Sequence, residues 1–190
     1  MKLKYPLILA SGSPRRKVLL LAAGFDFEVH TKPTDESFPE EILLENVAEY
    51  LAHKKASAFN EESKNNIVVA ADTVVICENK FLGKPQNQAE AISMLQFLSG
   101  KKHKVITGVC IAFQNKYQTF SDSTDVYFSN LSDEEIINYI TNSSPLDKAG
   151  AYGIQDWMGY VGIESINGSF YNVMGLPIHK VYQHLSTFKE

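Results

Sequence analysis

The run from Ile67 to Cys77 is β-branched and apolar almost throughout, the pattern of a strand covered on both faces, yet it carries Asp72 and Thr73 in its middle. An ionised carboxylate is rarely buried without a partner, and Val68-Val69-Ala70-Ala71 and Val74-Val75 offer it none. A carboxylate at or near a strand end can hold a divalent cation or orient a water. The alternative is an Asp that caps a turn at a break between two short strands.

A second anomaly lies upstream. Tyr5 to Ala10 is a short apolar run that ends in Ser11-Gly12-Ser13-Pro14-Arg15-Arg16, after which Val18, Leu19, Ala22 and Ala23 recur at helical spacing before Gly24. Ser13 suits an N-cap, Pro14 the first helical position and Gly24 the left-handed residue that ends a helix. A helix N-terminus already carries about half a positive charge and unsatisfied N–H groups. Arg15 and Arg16 in the first turn therefore disfavour the helix by roughly 0.3–1 kcal/mol each, unless an anion uses them. Free N–H groups, the Ser11 and Ser13 hydroxyls and two guanidinium forks are the chemistry of phosphate capture. The alternative is two arginines splayed into solvent or paired with distant carboxylates.

The net charge of −4 gives no general basic face for nucleic acid or an anionic membrane, so an anion site has to be local. The two cysteines, Cys77 and Cys110, each sit in an apolar run and read as buried strand residues in a reducing compartment. The first apolar stretch is too short for a signal sequence or for a span of roughly 20 residues, which points to a cytoplasmic protein. A single domain over residues 1–190 is expected, with no repeat, linker or low-complexity tract.

Further elements follow from periodicity. A helix is predicted over about 41–59, with Leu43, Val47 and Leu51 four apart. Asn87 with Glu90, and Ser132 with Glu135, have capping-box spacing ahead of helices near 88–98 and 133–142. Val105–Phe113 and Gln118–Phe128 read as strands around a Gln114-Asn115-Lys116 turn. Tyr160–Ile166 and Ser169–Val173 read as a hairpin about Asn167-Gly168, and Pro177 opens a terminal helix.

Other residues add to the two anomalies. Lys84 precedes Pro85, which restricts its backbone to extended conformations and fixes the direction in which the side chain leaves. Lys55 comes late in the 41–59 helix; it either points toward a phosphate or lies in solvent. Asp35-Glu36 supplies a second carboxylate candidate in a Pro- and Thr-rich loop. Asp147 to Gln155 combines small residues with a flat ring and an amide that both donates and accepts, suited to reading a base edge or simply a glycine-rich surface turn. These features fit together if a Mg²⁺-bound polyphosphate lies across Arg15, Arg16, Lys55 and Lys84, with Asp72 and Glu36 on the metal and the water. The chain has no Gly-x-x-x-x-Gly-Lys-Ser/Thr loop, no Gly-x-Gly-x-x-Gly fingerprint and no Cys/His metal cluster.

The motifs Leu-Ala-Ser-Gly-Ser-Pro-Arg-Arg (9–16), Leu-Ala-His-Lys-Lys-Ala (51–56), Ala-Asp-Thr-Val-Val (71–75), Gly-Lys-Pro (83–85), Leu-Ser-Gly with a following His103, Asp-Lys-Ala-Gly-Ala-Tyr-Gly-Ile-Gln (147–155) and Ile-Asn-Gly-Ser (166–169) before Gly-Leu-Pro (175–177) resemble the Maf family of nucleoside triphosphate pyrophosphatases. The resemblance implies an α/β fold of the ITPase-like kind: an elongated mixed β-sheet flanked by helices, two lobes with a cleft between them, and a homodimer. It implies hydrolysis of a nucleoside triphosphate between the α and β phosphates with Mg²⁺ or Mn²⁺, a house-cleaning activity with a link to cell-division arrest. The catalytic base falls on Asp72. Arg15, Thr73 and Gln155 stand at positions that set base specificity, and Ser11, Arg16, Glu36, Lys55 and Lys84 at phosphate- or metal-handling positions. Pro-Arg-Arg, Asp-Thr and Gly-Ile-Gln resemble the branch acting on dTTP and UTP. The alternatives are a 7-methyl-GTP pyrophosphatase or a non-catalytic, nucleotide-sensing regulator of septum formation. At Asp156-Trp157-Met158-Gly159-Tyr160 the chain departs from a smaller, more glycine-rich family pattern.

Overall fold

A computed structural model describes residues 1–143 and 145–190. In chain order the elements are β1 (Leu7–Leu9), α1 (Pro14–Ala22), β2 (Glu28–Val29), α2 (Val47–Ser57), β3 (Ile67–Cys77), β4 (Lys80–Leu82), α3 (Gln88–Leu98), β5 (Lys102–Phe113), β6 (Lys116–Phe128), α4 (Asp133–Ser143), α5 (Trp157–Val161), β7 (Ile163–Asn167), α6 (Phe170–Met174) and α7 (Ile178–Leu185). The strands form one mixed seven-stranded sheet in the order β2-β1-β3-β5-β6-β7, with β4 paired to β3. The α/β fold with helices around a mixed sheet is therefore the one expected.

By its internal contacts the chain divides into two units, one of residues 1–73, 107–122 and 175–190, the other of residues 74–106 and 123–174. In the first unit β1 runs parallel to both β2 and β3, with Leu9 opposite Val69, so that α1 and α2 lie on the two crossovers. Successive side chains on a strand alternate between faces. Ile8 and Ala10, Val68 and Ala70, and Cys110 and Ala112 share one face, which packs against Ala52, Ala56 and Phe59 of the α2 segment. The odd-numbered face, with Leu7, Leu9, Ile67 and Val69, is equally buried. This is the two-sided cover that the apolar run at 67–77 requires. The second unit has its own core, where Leu95 and Leu98 of α3 and Ile136 and Tyr139 of α4 meet Val75, Val105, Val126 and Phe128 of the sheet. Cys110 belongs to the first core and Cys77 to the second; both are free thiols.

Several expected boundaries move. The helix of 41–59 begins only as a 3₁₀ turn at Leu44–Asn46, because Leu43 is extended and 68% exposed, with no apolar surface to hold another helical turn in place. In α1 the buried pair is Leu19 and Leu20, while Val18 faces solvent. The turn between β5 and β6 is the two residues Gln114-Asn115, both at positive φ, and Lys116 already belongs to β6. Glu78-Asn79 forms a similar turn that creates β4, a strand the periodicity did not reveal.

The hairpin expected around Asn167-Gly168 does not form. Tyr160 lies in α5, β7 pairs antiparallel with β6, and Phe170–Met174 is helical. Three hydrogen bonds of Asn172 decide this. The Ser169 hydroxyl accepts from Asn172 N–H (3.3 Å), and the buried Asn172 amide donates to Val105 O and Thr124 Oγ1 (both 3.0 Å). Gly168 is glycine because a Cβ there would stand 2.6 Å from Thr124 Oγ1, a close approach to β6 rather than a hairpin turn.

The Ser132–Glu135 capping box forms in full, while the Asn87–Glu90 box forms by half, the Glu90 carboxylate accepting from Gln86 N–H (2.7 Å) and not from Asn87 N–H. Asn87 Oδ1 accepts from Glu90 N–H (2.9 Å), and the Ser132 hydroxyl and Glu135 carboxylate exchange bonds with each other's N–H. Asn87→Ala is expected to destabilise the protein by about 1 kcal/mol. A thermal melt lowered by about 2–4 °C is the corresponding readout.

Candidate active site

β1 ends at Leu9, where Ala10 N–H still bonds Val69 O (2.8 Å), and the chain then leaves the sheet through Ser11–Ser13 into α1. Past Val69, β3 continues without β1 beside it, and Asp72 and Thr73 occupy this stretch, level with the turn. Ligands of open parallel sheets gather at such carboxyl ends of strands. Pro14 opens α1 and Gly24 follows it at φ +80°, as the sequence predicts. Ser13 takes the N-cap position, but its hydroxyl caps no helical N–H; instead Ser13 N–H donates to Ser11 Oγ (3.3 Å).

Alternation sends Asp72 to the face of Val68 and Ala70, toward α2, and Thr73 to the opposite face. The contacts agree. Lys55 of α2 places its ammonium on Asp72 Oδ1 and, at 2.8 Å, on Glu36 Oε1. The Lys55 and Asp72 side chains are only 15% and 10% exposed, so this is a largely buried ion pair, the partner that the strand itself could not supply. Glu36 is exposed, and beside it Asp35 is held well below the usual carboxylate range by Lys54 and Ser37.

On the other face Arg16 acts as a three-point bolt. Its Nε donates to Gly175 O (2.8 Å), Nη1 to Ser11 Oγ (3.2 Å) and Nη2 to Thr73 Oγ1 (3.1 Å), and Thr73 Oγ1 in turn lies 3.0 Å from Thr107 Oγ1 on β5. Burial lowers the Arg16 pKa, Asp72 opposes that shift, Arg15 adds to it and Glu36 again opposes it. The guanidinium keeps its charge, as arginine does in proteins. Two bonded groups thus flank this stretch of β3, Lys55 with Glu36 and Asp72 on one face and Arg16 with Ser11 and Thr73 on the other, with Ser13 and a half-buried Arg15 in the same turn as Arg16.

The remaining predicted residues, Lys84 and Gln155, belong to the second unit. There Gly83 O accepts from Gly150 N–H (3.0 Å), which ties the residue before Lys84 to the Asp147–Gln155 segment. Gln155 is half-buried, and its amide oxygen is fully buried with no hydrogen-bond partner among the described residues. Such an acceptor is energetically incomplete until a donor reaches it. His103 is neutral at ordinary pH, because burial lowers its pKa to about 4, and its Nε2 lies 2.7 Å from the Tyr152 hydroxyl.

Glu36 and Asp72, both on Lys55, are the carboxylates available to a cation. Among the described residues no group of three or more His, Cys, Asp or Glu side chains forms a closed metal cage. Mg²⁺ typically takes one or two carboxylates from the protein and completes its shell with water and substrate phosphates, so the donor set fits a metal shared with a phosphate. Among the described residues no helix is long and apolar enough to cross a membrane.

Sequence reasoning missed Thr107, whose hydroxyl lies beside Thr73, and Tyr139, whose hydroxyl receives Gly153 N–H at 3.2 Å. Both sit in apolar periodic stretches, and only the sheet pairing and helix packing give their hydroxyls a neighbour.

A family model described as Maf-like protein matches residues 6–188. The dTTP/UTP pyrophosphatase of Bacteroides thetaiotaomicron is 47% identical over 96% of this chain and 95% of its own length. That of Parabacteroides distasonis is 48% identical over 97% of each chain. Among solved structures the Staphylococcus aureus Ham1 protein is similar over 65% of this chain and 71% of its own, at 12% identity and a TM-score of 0.48.

Proposed function

The chain belongs to the Maf-like family, and from that premise we propose that it hydrolyses dTTP and UTP to the nucleoside monophosphate and pyrophosphate. The observation that carries the reading is Asp72, a carboxylate buried in β3 yet held by Lys55 beside the arginine-bearing turn. Asp72 takes a proton from water as the water oxygen bonds to the α phosphorus. The α–β anhydride bond breaks, and the bridging oxygen leaves with pyrophosphate. Because the ammonium of Lys55 lies against Asp72 Oδ1, the other oxygen, Oδ2, is the one that accepts the proton.

Charge neutralisation and alignment supply most of the catalysis in displacement at phosphorus. Ser11, Ser13, Arg16, Lys55 and Lys84 bind the phosphates. Arg16 adds its charge while fixing the Ser11 hydroxyl and Thr73 in place. Glu36 and Asp72 would hold a divalent cation, Mg²⁺ or Mn²⁺, which when bound neutralises phosphate charge. Gln155 reads the pyrimidine, its unpaired amide oxygen accepting the imide N–H while its NH₂ donates to a ring carbonyl. Arg15 and Thr73 complete base selection. The whole chain acts as one catalytic domain, as a cytoplasmic homodimer clearing the nucleotide pool, without nucleic-acid or membrane partners.

Pyrophosphate release from a panel of nucleoside triphosphates with Mg²⁺ or Mn²⁺ tests the reading. Turnover of dTTP and UTP at least tenfold above that of ATP, dCTP and 7-methyl-GTP is expected, the margin given by a few well-placed polar contacts. Faster turnover of 7-methyl-GTP would overturn the substrate assignment. Turnover of no triphosphate at all would favour a nucleotide sensor.

A further inference from the structure

The buried, unpaired amide oxygen of Gln155 raises a question of placement. A glutamine amide turned by half a revolution presents the hydrogen-bond pattern that suits cytosine instead of uracil or thymine. Preference for the imide therefore needs Gln155 held in one position against the base, and its own amide oxygen makes no bond that would do so among the described residues.

A backbone N–H before Gln155 and a side-chain carboxylate after it converge on one phenol. The Tyr139 hydroxyl accepts from Gly153 N–H (3.2 Å) and donates to Asp156 Oδ2 (3.2 Å), while the ring stacks on Trp157 with centroids 6.3 Å apart. Tyr139 comes from α4 and is 1% exposed. Burial and the Asp156 carboxylate raise its pKa, so the hydroxyl keeps the proton it donates.

Asp156 occupies the N-cap position of α5, where an aspartate would ordinarily cap the helix, yet it makes no capping bond. Its carboxylate turns back instead to Tyr139 and, at 3.5 Å, to the Lys148 ammonium. Gly153 leaves room for this turn: a Cβ there would stand 2.6 Å from Asp156 Oδ2. Three departures from the ordinary thus coincide on one pair of hydrogen bonds: a buried hydroxyl, a diverted N-cap and a glycine that admits it.

We propose that Tyr139 is a positioning residue for base selection, its hydroxyl clamping Gly153 and Asp156 so that the segment between them holds Gln155 in one position against the base. The inference rests on Gln155 reading the base.

The test compares kcat and KM for dTTP, UTP and dCTP in Tyr139→Phe, Asp156→Ala, Asp156→Asn and Gln155→Ala. Removing the Tyr139 hydroxyl is expected to raise KM for dTTP and UTP about tenfold while kcat changes less than about threefold, the pattern of lost binding rather than lost chemistry. The ratio of kcat/KM for dTTP over dCTP falls about tenfold, as expected when one polar contact loosens. Asp156→Ala reproduces the loss from the other end of the bond, and deciding between variants rests on it if Tyr139→Phe does not fold. Asp156→Asn keeps an acceptor for the phenol and retains most of the ratio. A folded Tyr139→Phe, or Asp156→Ala in its stead, with the wild-type ratio overturns the clamp. If instead Gln155→Ala leaves the ratio unchanged while dTTP is still cleaved, the base-reading role itself is wrong and the clamp falls with it.

Discussion

Asp72→Asn is expected to lower kcat for pyrophosphate release from dTTP by on the order of 10³-fold, within the range that a general base contributes. The substitution keeps the shape of the side chain and an oxygen able to accept from Lys55, but removes the oxygen that takes the proton. Lys55 keeps Glu36 as an anionic partner, so the buried ammonium is not left without a counter-charge. The fold should survive, since β3 is held by its neighbours on both faces and not by this ion pair. Single-turnover measurement at saturating dTTP is the appropriate check, because it separates the chemical step from product release. A variant within tenfold of wild type would remove Asp72 as the base.

That the site could be found from sequence at all depends on where it violates local rules. Arginines at a helix N-terminus and a carboxylate inside an apolar strand each oppose an elementary preference, and the structure gives Arg16 bonds to Ser11 and Thr73 and gives Asp72 its bond to Lys55. The partners were less legible. Which of the two groups at 72 and 73 meets α1 and which meets α2 follows from strand alternation once the crossovers are known, and those are long-range facts. Arg16 illustrates the limit. Its charge marks an anion site, but a side chain cannot be seen from sequence to bond Gly175, far along the chain. The failed hairpin has the same origin: Asn167-Gly168 is a strong local turn signal, and tertiary bonds from Asn172 to Val105 and Thr124 override it.

Gly108→Ala is expected to damage stability and catalysis together. Gly108 lies on β5 in the register of Cys110 and Ala112, the face packed on α2, and a Cβ there would stand 2.3 Å from the carbonyl carbon and oxygen of Ala48 and from Glu49 N. These are backbone atoms in the first turn of α2, so no side chain can swing aside; the helix has to retreat by about 1 Å to restore ordinary contact. Overpacking of this kind destabilises by about 3 kcal/mol, read as a melting temperature lower by about 6–12 °C. Because α2 also carries Lys55, the same retreat draws the ammonium away from Asp72 and Glu36. A displacement of about 1 Å can reduce turnover by on the order of 10²-fold. Gly12→Ala is the control for stability, since its Cβ would meet only Thr31 Cγ2 at 3.5 Å and should leave the melt unchanged. If Gly108→Ala melts with wild type and retains its turnover, the close approach of α2 to β5 does not place Lys55, and the ion pair has to be set by α2's other contacts.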